Sequence, residues 1–255
     1  VKLLPRKARQ KSESNIYHVI MRAINRQRLF IDDEDHHRFL QTLKFYKKTS
    51  GYEIYAYCLM NNHIHLLLKV GPEPLEQIMR RICGKFVYWY NRKYDRVGYL
   101  FQDRFKSEPV EDDQYFLTAL RYIHQNPLKA GLVKDIKQYR WSSYNAYLNR
   151  DHLVDTDFAF SLFTGNKPAA LRSFLSFNEQ STNDQCLDVD EKKNLTDQEA
   201  SEMVKNTFPI GNMEEWQKID RNTRDDYLRQ LKQKGLSVRQ IARLTGINRG
   251  VVLKA

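Results

Sequence analysis

Between residues 16 and 126 the chain alternates between strand-like and helix-like hydrophobic periods, and the order of that alternation narrows the available folds more than any other feature. Ile16-Tyr17-His18-Val19-Ile20-Met21-Arg22 is β-rich. Asp32 to Lys48 has helical spacing in Phe39, Leu40, Leu43 and Tyr46 behind an acidic first turn, which suits a helix N-terminus. Tyr52 to Leu59 and His63 to Val70 read as two strands joined by the polar break Met60-Asn61-Asn62. Pro74 to Tyr94 is a long helix, with Pro74 close to its start and Gly98 beyond its end. A strand follows around Phe105 to Val110, and Glu111-Asp112-Asp113 opens a helix ending near Asn126-Pro127. The order β-α-β-β-α-β-α predicts an α+β, ferredoxin-like sandwich, one antiparallel sheet with helices on one side.

Charge divides the chain further. Of 255 residues, 42 are Lys or Arg and 31 are Asp or Glu, a net charge of +11. Residues 1–150 carry 27 basic and 15 acidic side chains, residues 151–220 carry 6 and 14, and residues 221–255 carry 9 and 2. Two basic blocks around an acidic one point to a polyanionic partner and to three parts. The first is the sandwich, 1–150. The second, 151–220, reads as an acidic, partly helical connector with helical patterns at Leu171 to Phe177 and Asp197 to Lys205. The third, 221–255, has Tyr227, Leu228 and Leu231 on one helix, a break at Lys234-Gly235-Leu236, and a second helix behind Ser237. A turn at Gly246-Ile247-Asn248 then leads to a third helix near Arg249, the layout of an all-α, helix-turn-helix-like module. The start without Met and the apolar ending Val251-Val252-Leu253 suggest a trimmed chain, in which this last module is cut short at its C-terminal end. Cys58, Cys83 and Cys186 match no zinc-finger or disulfide spacing and read as reduced thiols. No run approaches the roughly 20 apolar residues of a membrane span, so a membrane partner is not expected.

His63-Ile64-His65 lies in the third strand, where alternation sends both imidazoles to one face and Ile64 to the other. Two histidines leave coordination positions open, as a catalytic metal requires. A bare His-x-His also arises by accident, so the pair needs a partner. Tyr122 and Asn126 share one face of the helix that follows the fourth strand, together with Tyr115 and Ala119, while Phe116, Leu120 and Ile123 form the neighbouring apolar face. A phenol with a pKa near ~10 is a poor nucleophile at neutral pH unless a metal polarises the group it attacks. The amide of Asn126 can add a third ligand. Equally, Tyr122 can be a packed tyrosine, and Asn126 can simply end the helix ahead of Pro127.

Four segments in one order carry a resemblance: Asn61-Asn62-His63-Ile64-His65-Leu66-Leu67, Phe101-Gln102-Asp103-Arg104-Phe105, Tyr122-Ile123-His124-Gln125-Asn126-Pro127 and Trp141-Ser142-Ser143-Tyr144. Over about residues 10–150 the chain resembles the single-tyrosine HUH transposases, and most closely their REP-associated tyrosine transposase branch. The resemblance implies an enzyme in which His63 and His65 hold Mg²⁺ or Mn²⁺, with Asn126 as third ligand and Gln125 as its competitor. Tyr122 would attack single-stranded DNA, leaving a 5′-phosphotyrosine and a free 3′-hydroxyl, with hairpin-forming repetitive or mobile-element DNA as substrate. It also implies a cytoplasmic, nucleoid-associated bacterial protein, as a monomer or a homodimer. The alternatives are a replication-initiator or relaxase-type nickase and a non-catalytic DNA-binding regulator.

Basic and aromatic residues interleave in Arg80, Arg81, Lys85, Tyr88, Trp89, Tyr90, Arg92 and Lys93, and basic ones recur at Arg104 and Lys106. Such surfaces track a phosphate backbone and stack unpaired bases, although three successive aromatics cannot share one helical face. The N-terminal arm with Lys2, Arg6, Lys7, Arg9 and Lys11 is a candidate for the same role or a solvated tail. In the C-terminal module Arg239, Gln240, Asn248 and Arg249 stand at helix starts, from which base edges can be read.

Overall fold

The computed structural model describes residues 9–149, 152–163, 165–180, 182, 184–188, 197–208, 210 and 213–255. Lys2, Arg6 and Lys7 of the N-terminal arm lie outside the described residues. The chain divides into two units, at residues 1–189 and 190–255. The first unit runs β1 (Ile16–Arg22), α1 (Asp33–Ser50), β2 (Glu53–Leu59), β3 (His63–Lys69), α2 (Leu75–Lys93), β4 (Lys106–Pro109) and α3 (Asp113–Lys129). The element order is the one that the hydrophobic period predicts.

The four strands form one antiparallel sheet in the order β2-β3-β1-β4. β1 and β3 pair along their whole lengths, from Ile16 opposite Lys69 to Arg22 opposite His63. Because side chains alternate, His18, Ile20 and Arg22 share one face with His63, His65 and Leu67, while Val19, Met21, Ile64 and Leu66 line the other. α1 and α2 cover this second face. Their contact is made by Phe39 and Phe86, edge to face at 5.1 Å, and Cys83 of α2 lies 3.4 Å from the Met21 sulfur.

Helices therefore occupy both faces of the sheet, not one. α3 crosses the histidine face, with Phe116 against Tyr55 at 5.1 Å and Tyr122 against His65 at 5.8 Å. It also runs past Pro127, where the sequence predicts its end. Pro127 removes one backbone donor, yet the carbonyls of Asn126 and Pro127 still accept from Ala130 and Leu132, both at 2.9 Å. Burial of the segment from Ala119 to Pro127 outweighs the local preference against helix before proline.

The ends of α1 follow the sequence closely. Asp32 and Asp35 form a reciprocal capping box, and Gly51 ends the helix in the left-handed region at φ 67°. The fully buried Asp35 also receives Lys93 at 2.9 Å and the Tyr94 hydroxyl at 2.8 Å, tying α2 to the start of α1.

The stretch read as a connector is shared between the two units. α5 (Thr156–Ser161) and α6 (Lys167–Glu179) belong to the first, as does α4 (Tyr144–Asn149) just before the stretch, with Phe174 of α6 stacked on Tyr147 at 4.4 Å. Asn178 and Ser143 meet opposite sides of the buried His124 ring, at 3.1 and 2.9 Å, and the Tyr57 backbone N–H donates to the same Ser143 oxygen at 2.9 Å. The second unit holds α7 (Asp197–Thr207), α8 (Met213–Lys218), α9 (Arg221–Gln233), α10 (Val238–Thr245) and α11 (Arg249–Lys254) around Trp216, Leu228, Leu231, Ile241 and Val252. Among the described residues no helix is long and apolar enough to cross a membrane. All three cysteines are free thiols.

Ser143 joins α3 to β2, and its loss strands both His124 Nε2 and the Tyr57 N–H in the interior. Ser143→Ala is expected to lower unfolding stability by about 1–3 kcal/mol. Urea denaturation measures this; a loss below about 0.5 kcal/mol would contradict the bridging role.

Candidate active site

The paired register of β1 and β3 assembles a cluster of three imidazoles on the face that α3 covers. His63 and His65 stand two residues apart with ring centroids 5.0 Å apart. His18, diagonal to His65 across the strand pair, places Nε2 3.0 Å from His65 Nδ1. The far nitrogen of His65, Nε2, faces Asn126, whose amide nitrogen is 3.3 Å away. The Asn62 side-chain oxygen lies 2.7 Å from His63 Nδ1. From α3, Tyr122 sits one turn before Asn126 and packs edge-on against His18 at 6.1 Å and His65 at 5.8 Å.

The two amides of α3 face different ways. Asn126 points to the histidines, whereas the Gln125 amide donates to the carbonyls of Asn178 and Gln180 at 2.7 and 2.8 Å. The geometry thus separates two side chains that the sequence leaves as rivals. Arg121, the other neighbour of Tyr122, forms a two-pronged ion pair with Asp184 at 2.7 and 2.9 Å.

Burial dominates the electrostatics. His65 is fully buried, and its pKa is held well below the ordinary value by desolvation first and by the neighbouring His18 and His63 next. Desolvation pushes His18 down to about 3 and His124 to about 4, the latter opposed by the Asn178 hydrogen bond. The Tyr122 phenol, 5% exposed, is pushed up, first by burial and then by its hydrogen bond to Asp188, against a smaller lowering by Asn126. At neutral pH His18 and His65 are uncharged and Tyr122 keeps its proton.

Of the basic residues proposed from sequence, Lys106 pairs with Ile20, which in turn pairs with His65, so its side chain starts on the histidine face two strands away. Lys106 and Arg104 line a groove with Arg9 and Phe105, and the Arg9 guanidinium sits 3.7 Å over the Phe105 ring. Arg80, Arg81 and Lys85 are on α2, which covers the opposite face. Arg81 pairs with Glu73 at 2.9 Å, Lys85 lies 3.5 Å over Phe45, and Arg80 contacts Gln77. Tyr90 is core, Trp89 half-buried and Tyr88 exposed, as three successive helical positions require.

In the second unit Arg239 and Arg249 are exposed. Gln240 instead accepts from the Ser237 backbone at 3.1 Å, and Asn248 accepts from Gly250 at 2.8 Å. Both are helix caps, a use that competes with base reading. Sequence reading missed His18 altogether. The available signal was period-two spacing in β1, which puts His18 on one face with Ile16, Ile20 and Arg22.

Residues 11–126 match the family described as "Transposase IS200 like", a span that starts just before β1 and ends at Asn126. Over that span the chain is similar to the IS200-like transposases. A Haemophilus influenzae protein named for the REP-associated tyrosine transposases is 31% identical over 39% of this chain and 65% of its own length. The chain thus spans just under two thirds of that relative. A solved REP-associated tyrosine transposase bound to a REP hairpin shares the fold, with a TM-score of 0.52 at 16% identity, covering 73% of this chain and 99% of that one. The region of similarity and the face of buried histidines come from the same stretch of sequence.

The neutral histidines couple stability of this unit to pH. Native His18 and His124 titrate below the ~6.5 of an unfolded chain, so below pH 6.5 the unfolded state binds protons that the native state does not. Their stabilisation is complete above about pH 6.5 and is lost as the pH falls towards the native values. Going from pH 7 to pH 5 is expected to cost about 2 kcal/mol through His124 alone. Urea unfolding across this range should show the decline, and a flat profile would contradict buried neutral histidines.

Proposed function

We propose that this chain nicks and rejoins single-stranded DNA, acting on hairpin-forming repetitive or mobile-element sequences, with Tyr122 as the nucleophile. The observation that carries the reading is convergence: Tyr122 and Asn126, one turn apart on α3, meet His63 and His65 from β3 on a single buried face. The reading extends to β1 to β4 with α1 and α2 as a ferredoxin-like core that α3 covers from the other face, and to 1–150, 151–220 and 221–255 as catalytic, connecting and DNA-selecting parts of the chain.

His63, His65 and Asn126 suit a divalent ion. The set would be two imidazoles completed by an amide oxygen. Three protein ligands leave room for phosphate oxygens. A bound Mg²⁺ or Mn²⁺ would supply Lewis-acid polarisation of the scissile phosphate.

The protein's own groups do the rest. Tyr122 keeps its proton at neutral pH, so its nucleophilicity must develop during the attack and not before it. As the phenolic oxygen bonds to phosphorus, the bond from phosphorus to O3′ breaks, giving a 5′-phosphotyrosine and, with a proton from solvent, a 3′-hydroxyl. Asp188, which already takes the hydrogen bond of the phenol, is an acceptor in place for the phenolic proton. The phosphotyrosine ester retains the energy for rejoining, and no nucleotide cofactor enters the balance.

Arg104 and Lys106, with Arg9, offer a basic groove for the DNA backbone, and Arg80, Arg81 and Lys85 a second basic surface on α2. The hairpin carried by the solved relative supports hairpin DNA as the ligand. In the second unit, α9 to α11 are read as a helix-turn-helix-like module in which Arg239 and Arg249 remain available for DNA.

Incubation with labelled single-stranded hairpin DNA and Mn²⁺ is expected to give an adduct that survives denaturation. It should vanish in Tyr122→Phe and fall at least tenfold in Asn126→Ala. Hairpin binding without any adduct across a broad substrate panel would contradict the enzyme and favour the DNA-binding regulator.

A further inference from the structure

One group in the cluster has no part in the reaction described above. His18 is fully buried on β1, and its Nε2 meets His65 Nδ1 at 3.0 Å with the two rings inclined by 27°. Its other nitrogen, Nδ1, is buried and finds no hydrogen-bond partner. A buried nitrogen left in this state costs free energy, so the single bond that His18 does make has a consequence to offset it.

Between two neutral imidazoles, one nitrogen of the contact carries the proton and the other accepts it. If His18 donates, His65 carries its own proton on Nε2, and the nitrogen that faces Asn126 has no lone pair to give. If His65 donates from Nδ1, Nε2 is bare and directed at Asn126. The placement of the Asn126 amide nitrogen 3.3 Å from Nε2 fits the second arrangement, in which Nε2 accepts; a bound ion would take that lone pair in place of the N–H, with the amide turned to present its oxygen. His18 then carries its proton on the partnerless Nδ1.

We propose that His18 is a positioning residue that fixes His65 in the Nδ1–H tautomer, so that Nε2 is held bare and aimed as a ligand atom beside Asn126. The inference rests on the metal-binding reading of His63, His65 and Asn126. Metal-ligating histidines generally donate their second ring nitrogen to an outer partner, most often a carboxylate or carbonyl. Here an uncharged imidazole fills that place. It adds no negative charge to a face that must receive a phosphate, and its flat ring packs against Tyr122, the attacking residue. The diagonal register of β1 and β3 sets the contact, so the ligand atom of His65 is aimed by the sheet itself.

The test begins with the unmodified, metal-free protein. Long-range ¹H–¹⁵N correlation of the histidine rings, assigned with His65→Gln and His18→Gln, should show His65 protonated at Nδ1 and bare at Nε2; an Nε2–H tautomer overturns the proposal. Mn²⁺ titration followed by electron paramagnetic resonance then compares His18→Phe, which keeps an aromatic ring but no acceptor, with His18→Gln, whose carbonyl can accept. His18→Phe should weaken Mn²⁺ binding ~10- to 100-fold. His18→Gln should restore it to within about threefold of wild type, with hairpin affinity and the His124 ring signals unchanged in both. Equal losses in Phe and Gln, or none in either, overturn the proposal. Mn²⁺ binding that is absent in wild type, or indifferent to His63→Ala, overturns the metal-site reading itself, and the tautomer signal tells that failure apart from a wrong role for His18.

Discussion

The seven-residue antiparallel pairing of β1 with β3 is the constraint on which the rest of the site depends. A slip of one residue would turn His18, His63 and His65 away from α3 and bring Val19, Met21 and Ile64 in their place. The register is held from both sides. α1 and α2 bury the apolar alternates of these strands, and α3 buries the polar ones. The same alternation that makes an apolar core on one face therefore lines the other with buried histidines. Neither face can be changed without disturbing the strand that serves both.

α3 is the second half of the arrangement. Its residues from Ala119 to Pro127 are buried, which is unusual for a segment that includes Arg121, His124, Gln125 and Asn126. Each of these polar groups has a separate partner. Arg121 takes Asp184, His124 takes Ser143 and Asn178, Gln125 takes two backbone carbonyls near the end of α6, and Asn126 takes His65. Those contacts fix the rotation of the helix about its axis. With that rotation set, Tyr122 and Asn126 can only face the histidines.

The sandwich was legible in the sequence because its elements obey simple periods: alternation in Ile16–Arg22 and His63–Lys69, helical spacing from Asp33 to Ser50, and turn chemistry at Gly51. The site was legible in part. His63 and His65 reveal themselves by spacing, and Tyr122 and Asn126 by their common face. His18 did not, because a lone histidine in a strand takes its meaning from a residue 47 positions away. The long-range partners of α3 were hidden for the same reason. Asp184 and Asn178 sit in a stretch that reads as an acidic, partly helical connector, whereas one of its charges is consumed by Arg121 and one of its amides by His124. Local pattern also misjudged Pro127, where burial of the helix overrides the propensity of the proline. In the second unit, Gln240 and Asn248 look like base-reading amides by position, but their oxygens cap helices.

Of the 15 tyrosines in this chain, the proposed chemistry rests on Tyr122 alone as the one whose oxygen bonds to DNA phosphorus. Trypsin cuts after Arg121 and after Lys129, so Tyr122 leaves in a peptide of its own, apart from Tyr115 on the same helix. Digesting a trapped protein–DNA adduct with nuclease and trypsin, followed by mass spectrometry, identifies the residue directly. A nucleotide on the peptide Tyr122–Lys129 is the predicted result. A nucleotide on any other tyrosine would contradict the assignment of the site.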